Sequence, residues 1–158
     1  MKKLVVYFSH SGNTREIAGQ IQNATGGDIF EIQPVAAYPV NYNAVVEQAR
    51  QELKSNYKPA IKSKISNIGS YDIIFIAFPN WWSTFPAPVK TFLLEHDLRS
   101  KTIIPICTHE GSGMGRSVSD IKKLCPGSTV LSGLPVRSSY VGKARDEVMR
   151  FLHDQHIL

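Results

Sequence analysis

Residues 9–14, with the sequence SHSGNT, lie between an apolar run and a helix-like stretch. Phosphate bound at a helix N-terminus needs free backbone N–H groups, small residues and polar donors. This stretch, called the phosphate loop below, supplies hydroxyls, a glycine and an amide from Ser9, Ser11, Thr14, Gly12 and Asn13. It has no lysine and matches neither G-x-x-x-x-G-K-[ST] nor G-x-G-x-x-G, which favours one phosphomonoester over a triphosphate with magnesium. The alternative is an ordinary strand-to-helix turn with a serine or asparagine cap.

Residues 79–86, PNWWSTFP, form a second candidate, called the Trp loop. Adjacent tryptophans on a loop cannot both point into one small core. We therefore expect Trp81 or Trp82 at the rim, where a ring can stack on a planar ligand. The alternative is that both rings only cover the end of the sheet.

Residues 108–115, THEGSGMG, form a third candidate, called the Gly-rich loop. Its glycines, at 111, 113 and 115, are spaced two apart, which is not the dinucleotide-binding pattern. Such a loop presents backbone N–H and C=O groups to a ligand edge without intervening side chains. The alternative is a flexible connection that opens the next helix.

The elements that position these loops follow from the hydrophobic pattern. Apolar, β-rich runs occupy residues 3–8, 28–33, 72–78, 102–107 and 128–133. Stretches with apolar residues three and four apart occupy residues 14–24, 43–55, 87–96, 115–125 and 143–155. This alternation predicts an α/β fold with a doubly wound, five-stranded parallel sheet and helices on both faces. The run at 28–33 carries Glu31 and Gln33, so we expect it at an edge of the sheet.

In an open α/β sheet, ligands bind beyond the C-terminal ends of the strands. All three loops follow predicted strands at that end. A phosphate loop, an aromatic platform and an open backbone loop together fit a ligand with one phosphate and a flat heteroaromatic ring. Flavin mononucleotide (FMN) is such a ligand.

The composition excludes several other classes of protein. With 158 residues we expect one domain, spanning 1–158. The net charge of +5 arises from scattered lysines and arginines, with no basic helix or zinc-finger spacing, so no nucleic-acid partner is expected. No apolar run reaches the ~20 residues of a membrane span, and no export signal is recognised, so we expect a cytoplasmic protein without membrane insertion. Cys107 and Cys125 have neither disulfide-framework nor zinc-ligand spacing and are expected as buried free thiols.

Three blocks of the sequence resemble the flavodoxin-like family, and most closely its short-chain bacterial branch. YFSHSGNT is similar to the family's phosphate loop after the first strand. PNWWSTFPAPVKTFL and SKTIIPICTHEGSGMGRS are similar to two further blocks of that branch. The resemblance covers essentially the whole chain. It implies strand order 2-1-3-4-5 with no long insertion in strand five, and noncovalent FMN.

The resemblance also implies which residues surround the cofactor. The phosphate would be held by Ser9, Ser11, Gly12, Asn13 and Thr14, with His10 contributing mainly its backbone. The flavin ring would be flanked by Pro79, Asn80, Trp81, Trp82 and Ser83. Its other edge would be lined by Thr108, His109, Glu110 and Gly111, with Gly113 shaping that loop. Two departures from the family pattern are Ser83, where the branch commonly has glycine, and the basic net charge, since classical flavodoxins are strongly acidic.

Two functions are compatible with these features. The first is an FMN-binding electron-transfer protein that needs no catalytic residue and no metal, and passes electrons to a partner protein or a small quinone-like acceptor. The second is an NAD(P)H-dependent FMN quinone or nitro-reductase on the same fold. Either function is compatible with a monomer or a homodimer.

Overall fold

The computed structural model describes residues 1–158. Its centre is one parallel sheet in the order β2-β1-β3-β4-β5, with β6 also paired to β4. The strands are β1 (Lys3–Tyr7), β2 (Asp28–Glu31), β3 (Ile73–Pro79), β4 (Thr102–His109), β5 (Thr129–Val130) and β6 (Leu134–Arg137). The α/β fold with flavodoxin-like strand order 2-1-3-4-5 is therefore confirmed.

Five α-helices connect and cover the strands. They are α1 (Asn13–Thr25), α2 (Tyr42–Lys54), α3 (Ala87–Glu95), α4 (Ser117–Leu124) and α5 (Arg145–Asp154). Short 3₁₀ helices lie at Ile68–Ser70 and Ser138–Lys143. None of the helices is both long and apolar enough to cross a membrane.

The sheet separates two hydrophobic cores, because successive side chains of a strand point to opposite faces. Along β1, Leu4 and Val6 pack in one core with α3, whereas Val5 packs in the other with α1 and α5. The central strand β3 is buried along almost its whole length, as expected for a strand covered on both faces. Strand β2 lies at the edge, as the polar residues of its run predicted.

The run at 128–133 is not one continuous strand, unlike the sequence-based expectation. Only Thr129–Val130 of the run form a strand, β5, which pairs with the beginning of β4, and a further strand, β6, follows the run and pairs with the end of β4. The reason is visible at Gly133, which has φ +79° and lies so close to β4 that a Cβ atom would be 2.3 Å from the carbonyl oxygen of Pro105. This close approach interrupts the extended chain and moves the last strand to Leu134–Arg137, beside the C-terminal end of β4.

Candidate functional site

The phosphate loop follows β1, the Trp loop follows β3 and the Gly-rich loop follows β4. These strands are parallel neighbours in the sheet, so the three loops meet at the C-terminal ends of the strands. Hydrogen bonds connect them directly. The hydroxyls of Thr14 and Thr108 are 2.8 Å apart, and the backbone N–H of Asn80 donates to the carbonyl of Thr108 at 2.8 Å. The side-chain amide of Asn80 also donates to the carbonyl of Gly113 at 2.9 Å. The structure thus brings together all three loops that the sequence singled out.

The phosphate loop turns through a left-handed glycine. Gly12 has φ +100°, a conformation that costs glycine little, and α1 begins at the next residue. The hydroxyl oxygen of Ser9 accepts the N–H of Gly12 at 3.1 Å and closes the turn. The amide of Asn13 donates to the hydroxyl of Ser11 at 3.3 Å. Local side-chain contacts therefore hold this loop in shape.

Most backbone donors of the phosphate loop have no acceptor in the protein. The N–H groups without one belong to Ser9, His10, Ser11, Asn13 and Thr14. The last two are in the first turn of α1, where no intrahelical acceptor exists and the helix dipole favours an anion. The loop therefore has the donor set that a phosphate needs.

Thr14 is more enclosed than the sequence suggested. Its side chain is buried and its hydroxyl is engaged with Thr108, so its backbone N–H is the donor left for a ligand. The ring of His10 also has a structural contact: Nε2 lies 2.9 Å from the carbonyl oxygen of Pro39. This contact ties the phosphate loop to the segment before α2.

The Trp loop contains a tight turn with two left-handed residues that are not glycine. Trp82 and Ser83 have φ +56° and +69°, and Trp81 and Thr84 exchange two backbone hydrogen bonds around them. Positive φ at both central residues is the pattern of a type I′ turn, which normally selects asparagine and glycine. Three hydrogen bonds hold the turn: Asn80 accepts the N–H of Ser83 through Oδ1 and donates to Gly113, and the carbonyl of Ser83 accepts the N–H of Arg116 at 2.7 Å.

The two tryptophans have different surroundings. Trp81 is half-buried and makes edge contacts with Phe8, His10 and Tyr38, with ring centroids 5.1 to 5.9 Å apart. Trp82 is 46% exposed, and its indole N–H donates to the carbonyl of Val46 in α2. Trp82 is therefore the tryptophan that lies at the rim, as expected for at least one of the pair.

The Gly-rich loop is shaped by positive φ values at Gly111, Gly113 and Gly115. Nδ1 of His109 accepts the N–H of Gly111 at 2.9 Å. Burial lowers the pKa of His109, and the positive charge of Arg137 lowers it further, against a smaller opposing effect of Glu110. The imidazole is therefore favoured in its neutral form. Glu110 itself is exposed.

Sequence reasoning missed Arg137 as a member of this site. Arg137 is the register partner of His109 across β6 and β4, and its guanidinium lies 3.5 Å from the position that a Cβ of Gly111 would take. It takes part in none of the six ion pairs of the protein. The signal was a lone cation just beyond the last apolar run. Its significance depends on β6, a strand beyond that run, which pairs with the end of β4.

The sulfur groups and the acidic groups offer no other obvious chemistry. Both cysteines are buried and free, as expected, and burial raises the pKa of Cys107 to about 12. A thiol with such a pKa is a poor nucleophile at neutral pH. No cluster of three or more histidine, cysteine, aspartate or glutamate side chains is placed to hold a metal ion.

The chain resembles known proteins along almost its whole length. A family model described as Flavodoxin matches residues 2–153. A protein of Bacteroides eggerthii DSM 20697, described provisionally as a flavoprotein, has 34% identity and a TM-score of 0.79, covering 93% of this chain and 97% of that one. A flavoprotein of Lactobacillus acidophilus NCFM, solved in complex with FMN, has 24% identity and a TM-score of 0.76, covering 90% of this chain and 97% of that one.

A curated relative shares only part of the sequence. It is an uncharacterized NAD(P)H oxidoreductase of Escherichia coli (strain K12), YcaK, with 25% identity over 88 residues, or 53% of this chain. The match spans 45% of that relative, less than half its length. The sheet order, the turn from β1 into α1 and the match over residues 2–153 agree with one another. The chain belongs to the flavodoxin family.

Proposed function

We propose that residues 1–158 form one FMN-binding domain and that the protein is a low-molecular-weight electron-transfer flavoprotein. The observation that carries this proposal is the set of backbone N–H groups without acceptors at the start of α1. FMN is the cofactor that fits a single-phosphate cradle beside an aromatic rim. The relative from Lactobacillus acidophilus that was solved with FMN supports the same assignment.

In this proposal the phosphate of FMN is held by the phosphate loop. Its negative charge interacts with the N-terminal end of α1, and no lysine is needed within the loop. The hydroxyl of Ser11 and the amide of Asn13 are polar groups on the same turn. Gly12 allows close approach, because its Cβ position is empty within 4 Å. All residues proposed from the sequence for the phosphate, Ser9 through Thr14, stay in this assignment.

The flavin ring is proposed to lie between the Trp loop and the Gly-rich loop. Trp82, which is exposed, is proposed to stack on the ring, while Trp81 packs against three aromatic neighbours and supports the loop. Pro79, Asn80 and Ser83 are on the same side as these rings, and the backbone from Thr108 to Gly113 is on the other. When bound, FMN supplies the one- and two-electron chemistry, and the protein supplies binding, orientation and electrostatics.

The charges around this edge distinguish the protein from an acidic electron carrier. The Trp loop has no carboxylate, the Gly-rich loop has only the exposed Glu110, and Arg137 adds an unpaired positive charge. Positive charge near the flavin favours its reduced, anionic form, so we expect a less negative reduction potential than in acidic flavodoxins. A partner protein that docks here should present negative charge.

A reductase that uses NAD(P)H directly remains the second candidate. The specific observation that favours it is the similarity to an NAD(P)H oxidoreductase of Escherichia coli, although that match covers less than half of the relative. The acceptor would then be a quinone or a nitro compound. The cytoplasmic location and the monomeric or dimeric state stay predictions in either case.

The cofactor assignment is tested by comparing FMN with riboflavin, which has the same ring but no phosphate. We expect the wild-type protein to bind FMN much more tightly, with strong quenching of flavin fluorescence. Replacing Ser11 with Ala should weaken FMN by about 1.5–3 kcal/mol for the lost bond to the charged phosphate, and riboflavin far less. Ser119→Ala, on the exposed side of α4, is the matched control. Equal weakening of both ligands would contradict the phosphate assignment.

The choice between carrier and reductase is tested by stopped-flow mixing of the FMN-loaded protein with NADPH or NADH. An electron carrier should remain oxidised over many seconds and be reduced only by a partner reductase or dithionite. Rapid bleaching of the flavin bands by the nicotinamide would instead establish the second candidate. The measurement follows absorbance of the flavin and needs no knowledge of the physiological acceptor.

A further inference from the structure

A concavity lies beside the Trp loop, on the face of the sheet that α2, α3 and α4 cover. It has a volume of about 300 Å³, with α2 and α4 as walls and the beginning of α3 between them. No residue of the phosphate loop or of the Gly-rich loop lines it. Trp81 lines this concavity and also contacts His10 of the phosphate loop. This concavity, called the α2–α4 groove, shares the Trp loop with the proposed FMN site but neither of that site's other two loops.

The lining of the groove suits a small flat ring. Three aromatic side chains, Tyr57, Trp81 and Phe85, border it together with aliphatic carbon from Ala49 and Leu53. Its volume is at the lower end of the roughly 300–1,000 Å³ typical of small-molecule sites. Aromatic walls pack well against planar molecules.

Both carboxylates in the groove already have partners. Glu52 accepts hydrogen bonds from the hydroxyl of Tyr38 at 2.5 Å and from the amide of Gln48 at 3.1 Å. Asp120 accepts the hydroxyl of Thr84 at 2.6 Å and pairs with Arg116 at 3.4 Å. Of the two, only Asp120 has a cationic partner, whereas the partners of Glu52 are neutral.

Two lysines in the groove lack an anionic partner. Lys90, on α3, contacts only the backbone and side-chain oxygens of Asn56, and Lys123 lies on α4. Neither takes part in any of the six ion pairs of the protein. The lining carries three positive groups, Lys90, Lys123 and Arg116, against two carboxylates, so the groove has an excess of positive charge.

We propose that the α2–α4 groove is a binding site for a small aromatic acid, a flat ring that carries one carboxylate. The ring packs between the aromatic side chains, and the carboxylate interacts with Lys90 and Lys123. The site does not require FMN to be bound, since its remaining walls come from α2, the beginning of α3 and α4. Because Trp81 belongs to the Trp loop, an occupant contacts the underside of the segment that borders the proposed flavin site.

The experiment is isothermal titration calorimetry with 2-naphthoate as the probe, on the purified protein with and without saturating FMN. We expect binding of 2-naphthoate in both samples. The uncharged 2-naphthylmethanol, which has the same ring system, should bind about tenfold more weakly, since it loses the charged interaction. Equal binding of acid and alcohol, no binding of the acid at millimolar concentration, or displacement of the acid by FMN would each overturn the proposal.

Matched variants locate the probe. Lys123→Gln should weaken 2-naphthoate roughly tenfold, whereas Lys122→Gln, its exposed neighbour outside the groove, should change the affinity less than about twofold. Leu53→Trp fills the groove from an exposed position and should abolish binding while the melting temperature stays close to that of the wild type. Identical affinities in Lys123→Gln and Lys122→Gln, or undiminished binding in a folded Leu53→Trp, would refute this location.

Discussion

The phosphate loop and the Trp loop both turn the chain at the C-terminal ends of the strands, yet different residue types adopt the left-handed conformation in each. In the phosphate loop the residue with positive φ is Gly12, which has no Cβ, and no atom lies within 4 Å of the position that a Cβ would take. In the Trp loop two residues have positive φ, Trp82 and Ser83, and both carry side chains. A left-handed conformation costs a residue with a side chain about 1–2 kcal/mol, so the second loop stores strain that the first avoids.

The two loops also differ in the contacts that stabilise their conformations. The phosphate loop is closed by contacts within itself, such as Ser9 with Gly12 and Ser11 with Asn13. The Trp loop is held by the Gly-rich loop and the start of α4, through the bonds of Asn80 and the carbonyl of Ser83. The turn at Gly12 is therefore closed by local bonds, although Thr14 and His10 also contact distant segments. The turn at Trp82 and Ser83, in contrast, needs distant segments as well as the local bond with Asn80. The following predictions test that distinction.

The largest effect is expected at Gly115. A Cβ there would be 2.2 Å from the carbonyl oxygen of Ser83, which is backbone and cannot rotate away. Gly115→Ala should lower the free energy of unfolding by about 3 kcal/mol, from overpacking added to strain at φ +57°. Gly12→Ala meets no atom and should lose only about 1–2 kcal/mol from its positive φ. Urea denaturation measures both, and equal losses would contradict a tertiary origin of the Trp loop.

Removal of the Asn80 side chain should have the next largest effect. It loses the bond to the carbonyl of Gly113 and the bond from the N–H of Ser83, so we expect a loss of about 2 kcal/mol. Asn13→Ala, which removes only a 3.3 Å contact with Ser11, should change stability by less than about 0.5 kcal/mol. Thermal unfolding of the two variants gives the comparison. A small effect of Asn80→Ala would mean that the turn holds its shape without the Gly-rich loop.

Ser83→Gly should stabilise the protein. Glycine adopts φ +69° without the steric cost that serine has there, so we expect a gain of about 1 kcal/mol. Ser11→Gly is the matched control, because Ser11 has no positive φ to relieve, and it should give no gain. Chemical denaturation at constant pH measures both. Destabilisation by Ser83→Gly would show that the turn is not strained at this position.

The smallest effect is electrostatic and concerns His109. Removing the charge in Arg137→Gln should raise the pKa of His109 toward 6.5, although burial keeps it below that value. In the folded protein the neutral imidazole is favoured, so stability is present above pH 6.5 and is lost as the pH falls toward the lowered pKa. The Arg137→Gln variant should therefore lose less stability than the wild type as the pH falls below 6.5. A proton NMR titration follows the histidine, with Arg150→Gln as the control, and an unchanged pKa would show that Arg137 does not influence this ring.

The sequence by itself determined the fold and the phosphate loop. Alternating apolar runs and amphipathic stretches carry their own periodicity, so the α/β class and the edge position of β2 could be read without coordinates. The phosphate loop was equally readable, because a turn that depends on Gly12 and on hydroxyls within a few residues is encoded locally. The family resemblance supplied the strand order, which the sheet then confirmed.

The tertiary structure alone decided how the other parts of the site are arranged. Burial of the Thr14 hydroxyl against Thr108 joins residues 94 positions apart, and the strain at Trp82 and Ser83 depends on contacts from the Gly-rich loop. Arg137 lies beside His109 only because the chain after Gly133 forms β6 along the end of β4. Each of these features rests on packing between segments distant in the chain, and such packing has no signature in the spacing of neighbouring residues.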